Sequence, residues 1–205
     1  HYAFTKSRKN QHSLWCGFTC ELSSLYFYCN LSLINMKTYE TERLLLKPTD
    51  LEDAEFILQL LNSESFIKYI GDRNVRTIED AENYIRNRCF PQFERLGYGS
   101  FTVILKEDSS KMGTCGVYAR ENTDNAPDIG FAFLPQFEGK GYGYESAHFM
   151  KNLVKNDYGI KKLGGITVEY NHASRKLLEK LGLKFQKKFF MDGDPEELLY
   201  FEADI

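Results

Sequence analysis

The densest group of residues able to do chemistry is a glycine-rich run in the second half of the chain. The run Gln136–Gly143 contains three glycines, at positions 139, 141 and 143. It lies between a predicted strand and a predicted amphipathic helix, where backbone N–H groups are free and the helix dipole adds partial positive charge. Such a loop suits a phosphate or a diphosphate, and its glycines let the ligand approach the backbone closely. A tight strand-to-helix turn without a ligand has the same composition, so the spacing alone leaves both interpretations open.

Two familiar phosphate-binding loops do not match this run. A P-loop needs Gly-Lys followed by Ser or Thr, whereas Lys140 is followed by Gly141. A dinucleotide-binding fingerprint needs G-x-G-x-x-G, whereas this run reads G-x-G-x-G. Too few residues follow the run for a doubly wound sheet. The loop therefore belongs to another fold.

Hydrophobic periodicity and turn signals predict the elements that position this loop. A first strand at Arg43–Lys47 is followed by a helix with Thr49 as its N-cap, and a second helix runs from Thr77 to about Cys89, before Pro91. Three strands, a helix, a strand, a helix and two strands follow. The later strands are Phe101–Leu105, Thr114–Ala119, Asp128–Leu134, Ile166–Tyr170, Phe185–Phe190 and Leu198–Glu202, and the later helices are Tyr144–Tyr158 and His172–Leu181. This order predicts one mixed α+β domain.

Composition divides the chain unevenly. Residues 1–35 carry three bases and one acid, a net charge of +2, and hold three of the five cysteines and the only tryptophan. Residues 36–205 carry 23 bases and 28 acids, a net charge of −5. We expect 1–35 to be a non-native-looking or disordered extension and 36–205 to be a single domain.

The same counts exclude several function classes. A net charge of −3 for the chain gives no support for nucleic-acid binding. The sequence contains no run of about 18 apolar residues, the length needed to span a membrane. The domain keeps two isolated cysteines, Cys89 and Cys115, which is typical of a reduced, cytoplasmic protein. We expect no bound metal.

Three blocks of sequence resemble one known family. The pattern Gln136-x-x-Gly139-x-Gly141 matches the Q/R-x-x-G-x-G/A signature of the GNAT superfamily of acetyl-CoA-dependent N-acetyltransferases. The block Asn171–Leu183 is similar to N-x-x-S-x-x-x-L-E-K-L-G-F, typical of the branch related to ribosomal-protein N-terminal acetyltransferases, and Thr41–Leu46 also resembles that branch. The resemblance spans about 37–205. It implies a mixed, mostly antiparallel central sheet with helices on both faces.

The resemblance implies a coenzyme A site on the glycine loop and the strand before it. The loop backbone would bind the diphosphate, and the positions in the signature and loop are Gln136, Gly139, Lys140, Gly141, Tyr142 and Gly143. The pantetheine arm would lie along Phe133 and Leu134, where a backbone N–H would also polarise the thioester carbonyl. Asn171 matches a position that hydrogen-bonds the pantetheine arm. Ser174 matches a position proposed to protonate the leaving thiolate, although it could equally be a helix first-turn serine bonded to backbone.

An acetyl transfer to an amine also requires a base, because an ammonium has no lone pair with which to attack. Asp128, at the start of the strand that leads to the glycine loop, is the first candidate, and Glu169, near the end of the next strand, is the second. Each could instead be a solvated acid at a strand end. His148 and His172 are predicted to be surface residues, and Cys115 a buried small hydrophobe.

Two loops are expected to frame the pocket for the acceptor amine. The first is Tyr69–Arg73, in which Tyr69, Asp72 and Arg73 are the candidate contacts. The second is the acidic segment 192–197, with Asp192 and Asp194. Its charge favours a cationic acceptor such as a peptide N-terminus or a small amine, although a solvated turn would look the same.

These observations predict an N-acetyltransferase in which the amine attacks acetyl-CoA directly, in a monomer or a homodimer. A non-catalytic acyl-CoA-binding or sensing domain of the same fold is the main alternative, since it would keep the same glycine loop. A nucleotide-phosphate binder is a weaker third hypothesis.

Overall fold

A computed structural model describes residues 37–119, 126–191 and 195–205. Met36–Ile205 forms one compact unit. The strands are β1 (Tyr39–Glu40), β2 (Leu44–Pro48), β3 (Ser100–Leu105), β4 (Lys111–Tyr118), β5 (Asp128–Phe133), β6 (Lys162–Val168), β7 (Lys184–Phe190) and β8 (Glu197–Asp204). The α-helices are α1 (Ala54–Leu61), α2 (Glu64–Ile70), α3 (Ile78–Tyr84), α4 (Phe90–Leu96), α5 (Tyr142–Tyr158) and α6 (His172–Lys180). In these described ranges, no helix is long and apolar enough to cross a membrane.

The eight strands form one sheet in the order β1-β2-β3-β4-β5-β6-β8-β7. Every neighbouring pair is antiparallel except β5 and β6, which are parallel. Parallel neighbours require a crossover, and α5 supplies it. The predicted mixed, mostly antiparallel sheet is confirmed.

Helices pack on both faces of this sheet, as the contacts of successive side chains in β3 demonstrate. Val103 is fully buried in the same core cluster as Met150 of α5. Successive side chains of a strand point to opposite faces, and the hydroxyl of Thr102 donates to Asp53, directly before α1, at 2.8 Å. The α5 face and the α1 face are therefore different sides of the sheet.

The start of the first helical region differs from the prediction by one residue. Asp50, not Thr49, is the N-cap, and it forms a capping box with Asp53 around a 3₁₀ turn at Leu51–Asp53. Thr49 is instead buried and donates its backbone N–H to the Ser100 carbonyl at 3.0 Å. The prediction of Thr49 as the N-cap was wrong because the chain still hydrogen-bonds to β3 at this residue.

The prediction that the second helix ends at about Cys89, before Pro91, was also wrong. A π-helical stretch at Ile85–Cys89 carries α3 directly into α4, and Pro91 falls in the first turn of α4. A proline is tolerated in a helix's first turn, where its missing N–H needs no helical acceptor. The helix ends at Gly97, whose φ of 76° is left-handed.

The predicted loop at Tyr69–Arg73 begins later than expected. Helix α2 extends to Ile70, so Tyr69 is helical and only the segment from Gly71 onward is loop. The missed signal was Ser63, whose hydroxyl accepts from the Phe66 N–H and caps α2.

Candidate active site

The glycine loop presents free backbone donors at the start of α5. Gly139 and Gly141 have φ values of 73° and 85°, in the left-handed region that favours glycine. Gly141 is the N-cap, and the first helical hydrogen bond runs from the Glu145 N–H to the Gly141 carbonyl at 3.0 Å. The N–H groups of the first helical turn therefore have no intrahelical acceptor, and together with the helix dipole they can hold an anion.

A gap between β5 and β6 leads away from this loop. The two strands pair only at Asp128 and Gly164 within the described part of the chain, where the Gly164 N–H donates to the Pro127 carbonyl at 2.8 Å. On its other side β5 stays paired with β4 from Asp128 to Phe133. The strands thus form a wedge that is closed at Asp128 and open toward the glycine loop.

The hydrogen bonds of β5 decide which backbone groups face this wedge. The Leu134 N–H donates to the Met112 carbonyl at 2.8 Å, so it points toward β4 and is already used. Neighbouring residues in an antiparallel ladder present their N–H and C=O groups to alternate sides. The Phe133 N–H therefore faces the wedge. Of the two positions expected to line the pantetheine arm, Phe133 has the suitable donor and Leu134 does not.

The two main sequence blocks meet at Gly143. A Cβ added there would lie 3.2 Å from Leu177 Cδ1 and 3.5 Å from Phe133 Cε2. The glycine loop, the end of β5 and helix α6 are thus in direct contact. Residues separated widely in the sequence line one end of the wedge.

Asn171 and Ser174 lie at the start of α6, which follows β6. The Asn171 side-chain oxygen accepts from the Ser174 N–H at 3.0 Å and caps the helix. The Asn171 amide group keeps its donors for other partners. Ser174 is half-buried, and within the described residues no hydrogen bond engages its hydroxyl. The structure therefore leaves this hydroxyl able to donate to a ligand.

Asp128 lies at the closed end of the wedge and is only 4% exposed. Close by, the Tyr200 hydroxyl accepts from the Ala126 N–H at 3.3 Å and donates to Glu202 Oε2 at 2.6 Å. Burial, the hydrogen bond to Glu202 and the charge of Asp128 raise the pKa of Tyr200 to about 12. Tyr200 thus remains a neutral phenol beside the carboxylate, and no sequence pattern pointed to it.

Glu169 has a different environment. Its side chain is 63% exposed and pairs with Lys188 Nζ at 3.1 Å, and the same ammonium lies 2.8 Å from Glu197. Glu169 therefore belongs to an exposed ion-pair cluster, whereas the carboxylate of Asp128 is buried. The arrangement favours Asp128 over Glu169 as a base.

The candidate acceptor residues of the first loop form contacts of their own. Tyr69 packs against Tyr170, with ring centroids 5.9 Å apart, and the Tyr170 hydroxyl donates to the Lys68 carbonyl at 3.2 Å. These contacts bring α2 against the segment after β6. They place Tyr69 beside the segment that follows the carboxyl end of β6.

Two other candidates in this region are exposed. Asp72 pairs with Arg76, whose hydrogen bond holds the pKa of that carboxyl below its usual range. The Arg73 guanidinium donates to the Ile70 carbonyl at 3.2 Å. Asp192 and Asp194 lie outside the described residues, so their role stays a prediction.

The two histidines and the cysteine predicted to take no part in the chemistry have the expected burial. His148 is exposed and lies 3.1 Å from the Asn152 amide nitrogen, and His172 is exposed. Cys115 is fully buried, and burial raises the pKa of its thiol to about 12, as expected for a buried small hydrophobe.

A hydrogen-bonded cluster of Thr41, Arg43 and Glu145 lies beside the glycine loop and was not predicted from the sequence. Glu145, in the first turn of α5, accepts from the Thr41 hydroxyl at 2.6 Å and from Arg43 Nε at 2.7 Å. Arg43 Nη1 also donates to the Lys140 carbonyl at 3.2 Å. The sequence offered Thr41–Leu46 only as a matching motif and gave no sign that it touches the loop.

Comparisons with known proteins agree with this geometry. A family model described as an acetyltransferase (GNAT) domain matches residues 43–184. An N-acetyltransferase named p20 from Bacillus licheniformis is 29% identical over 158 residues, covering 75% of this chain and 84% of the relative. The N-acetyltransferase YoaA of Bacillus subtilis (strain 168) is 26% identical over 149 residues, covering 73% and 82%.

Solved structures share the fold. A GNAT-family acetyltransferase from Bacillus anthracis has a TM-score of 0.69 at 21% identity, covering 82% of this chain and 98% of that one. RimL, a ribosomal L7/L12 α-N-protein acetyltransferase in complex with coenzyme A, has a TM-score of 0.71 at 15% identity, with the same coverage. At these identities the likeness concerns the fold.

Proposed function

This chain belongs to the GNAT acetyltransferase family, and from that premise we propose that it transfers an acetyl group from acetyl-CoA to a primary amine by direct attack. The acceptor would be a peptide N-terminus or a small-molecule amine. The observation that carries the proposal is the wedge between β5 and β6, which runs from the free N–H groups of the glycine loop to the buried Asp128.

The residues present suit coenzyme A. The loop offers backbone donors for a diphosphate, and the wedge offers the exposed strand edge that an extended pantetheine arm can pair with. From Phe133 to Asp128 the strand spans five steps, or roughly 17 Å, which is comparable to an extended pantetheine arm. When bound, acetyl-CoA supplies the activated thioester.

Asp128 is the residue we assign as the base. Its carboxylate would take a proton from the ammonium of the acceptor, directly or through one water, and so free the nitrogen lone pair. The nitrogen then forms a bond to the carbonyl carbon while the carbon–sulfur bond breaks. Its burial keeps the proton transfer away from bulk solvent.

Two other groups would assist the transfer. The Phe133 N–H, which faces the wedge, would donate to a carbonyl of the pantetheine arm and so direct the thioester toward Asp128. The Ser174 hydroxyl would give a proton to the departing thiolate. Direct attack needs no covalent intermediate on the protein, in keeping with the buried thiol of Cys115.

The acceptor class follows from charge. The segment 192–197 carries four acids and no base, and in the sequence it comes just after β7. Such a field would attract a cationic amine and orient it toward the thioester.

The test measures binding and turnover in parallel. Coenzyme A titrated into the protein in a calorimeter should bind, and acetyl-CoA with a panel of free-amine peptides and small amines should release thiol. The same peptides with blocked N-termini provide the matched control. Binding without thiol release from any amine would favour a non-catalytic sensor, and competition by ATP at equal strength would favour a nucleotide-phosphate binder.

A further inference from the structure

The guanidinium of Arg43 lies where the glycine loop meets the start of α5. It donates to the Lys140 carbonyl at 3.2 Å, and its centre lies 4.6 Å from the ring centroid of Tyr142. A Cβ added at Gly141 would lie 3.4 Å from Arg43 Nη2. The side chain of Arg43, the residue before β2, thus binds Lys140, lies against Tyr142 and passes close to Gly141.

The hydrogen bond to the Lys140 carbonyl determines the direction in which the next backbone N–H points. In a trans peptide unit the C=O and the following N–H point in opposite directions. Because Arg43 holds the Lys140 carbonyl, the Gly141 N–H must point away from Arg43. Gly141 has left-handed φ, and as a glycine it could otherwise turn easily.

Glu145 holds Arg43 in this place. Its two carboxylate oxygens accept from Arg43 Nε at 2.7 Å and from the Arg43 backbone N–H at 2.9 Å, and the Thr41 hydroxyl adds a third bond at 2.6 Å. The carboxylate is 16% exposed and the guanidinium 42% exposed. The pair is electrically balanced, so Arg43 acts through its shape more than as a free cation.

We propose that Arg43 is a positioning residue that sets the backbone of the glycine loop for the diphosphate of acetyl-CoA. This inference rests on the proposed function, because it assumes that the loop binds that diphosphate. Arg43 does not need to touch the ligand. It acts through the Lys140 carbonyl and the Tyr142 ring, and Glu145 and Thr41 maintain its orientation.

The geometry also predicts that lysine cannot replace it. A planar guanidinium can bond to Glu145, bond to Lys140 and lie over the Tyr142 ring together, whereas an ammonium is a single point charge. Arg43→Lys keeps the charge and loses this fork. A comparison of lysine and alanine at this position therefore separates orientation from charge.

The experiment compares three probes on four proteins by calorimetry. The proteins are the wild type, Arg43→Ala, Arg43→Lys and the control Lys106→Ala. Lys106 is a suitable control because its ammonium also binds the Thr41 turn, donating to the Thr41 carbonyl at 2.7 Å, without touching the loop. The probes are coenzyme A, inorganic pyrophosphate and pantetheine, which has no phosphate.

We expect both Arg43 variants to bind coenzyme A and pyrophosphate about tenfold or more weakly, the scale of one lost charge-assisted contact. Pantetheine affinity should stay unchanged in all four proteins, and Lys106→Ala should bind all probes like the wild type. Wild-type affinity for coenzyme A in either Arg43 variant would overturn the inference. So would an equal loss for pantetheine, which would indicate a general structural role. A wild type that binds no coenzyme A would overturn the proposed function itself.

Discussion

The candidate site has a cofactor end, at the glycine loop and the wedge, and an acceptor end, at α2 and the segment 192–197, and the two ends are built from different features. At the cofactor end, the features that matter are backbone ones: left-handed glycines, unpaired helix N–H groups and a strand edge left open where β5 and β6 separate. At the acceptor end, the candidate features are side chains from α2, the loop after it and the segment 192–197. Backbone features follow from local spacing in the sequence, whereas side-chain pockets depend on how distant elements meet.

This difference explains what each end can tolerate. A backbone cradle is insensitive to most side-chain exchanges but sensitive to a Cβ at a left-handed glycine. A pocket framed by charged side chains changes its preference with each exchange, yet the rest of the fold is unaffected. We therefore expect the cofactor end to be shared across the family and the acceptor end to vary with the substrate.

The largest effect is expected at Asp128, at the closed end of the wedge. Asp128→Asn should lower kcat about 100-fold or more, the scale of lost general base catalysis, while coenzyme A affinity stays within about twofold. Steady-state rates and calorimetry measure the two quantities. Glu169→Gln is the matched control and should keep its rate, because Glu169 is exposed and paired with Lys188. A large loss in Glu169→Gln with none in Asp128→Asn would reverse the assignment.

A change at Gly141 should have the next largest effect and should be confined to the cofactor end. Gly141→Val forces a β-branched residue into a left-handed conformation and brings a Cβ close to Arg43, so we expect coenzyme A affinity to fall at least tenfold. The backbone strain costs on the order of 1–3 kcal/mol.

The control for that strain is Gly159→Val. Gly159 ends the same helix with a φ of 66° and open space around it, so the stability cost should be similar. Its coenzyme A affinity should match that of the wild type in calorimetry, and its melting temperature should fall like that of Gly141→Val. Equal binding losses in both variants would mean that the loop geometry is not specific.

A smaller effect is expected at the acceptor end. Reversing the charge at both Asp192 and Asp194 to lysine should raise the KM for a cationic amine a few-fold, and added salt should reduce the difference since exposed charges are screened. The KM for acetyl-CoA should not change. Asp157→Lys, at the far end of α5, controls for charge reversal as such. An unchanged amine KM would show that this segment does not frame the pocket.

The smallest effect concerns acid stability at the cofactor end. Burial alone would raise the pKa of Glu145, but hydrogen bonds from Thr41 and Arg43 outweigh it and hold the pKa below the ordinary value of 4.5. Because the folded pKa is depressed, the stabilisation is present above pH 4.5 and is lost as the pH falls through the folded value. Glu145→Gln should therefore flatten the dependence of melting temperature on pH below about 4.5, as thermal denaturation would measure. Glu179→Gln, which removes an exposed carboxylate from α6, is the control, and an identical slope in wild type and Glu145→Gln would contradict the account.

Much of the fold was predictable because its signals are local. The strand-to-helix glycine loop, strand β5 and the start of α6 at His172 all follow from neighbouring residues. The continuation of the helical segment past Pro91, by way of the π-helical stretch, was not predictable, because a proline inside a helical pattern normally ends the helix.

The missed parts of the site depend on long-range contacts. Thr41 and Glu145 are separated by 104 positions, and only the fold brings them to a 2.6 Å hydrogen bond. Tyr200 approaches Asp128 because β8 inserts between β6 and β7 in the sheet. Neither contact leaves a periodic or spaced pattern in the sequence, so a single chain read alone cannot reveal them.

The central claim is that the wedge between β5 and β6 is the acetyl-CoA site. A crystal structure of the protein with coenzyme A tests it most directly. We predict the diphosphate on the N–H groups of Gly139–Gly143, the pantetheine arm paired with Phe133, and the sulfur toward the Asp128 end. A coenzyme A bound away from β5, or with its sulfur beside Glu169, would contradict the account.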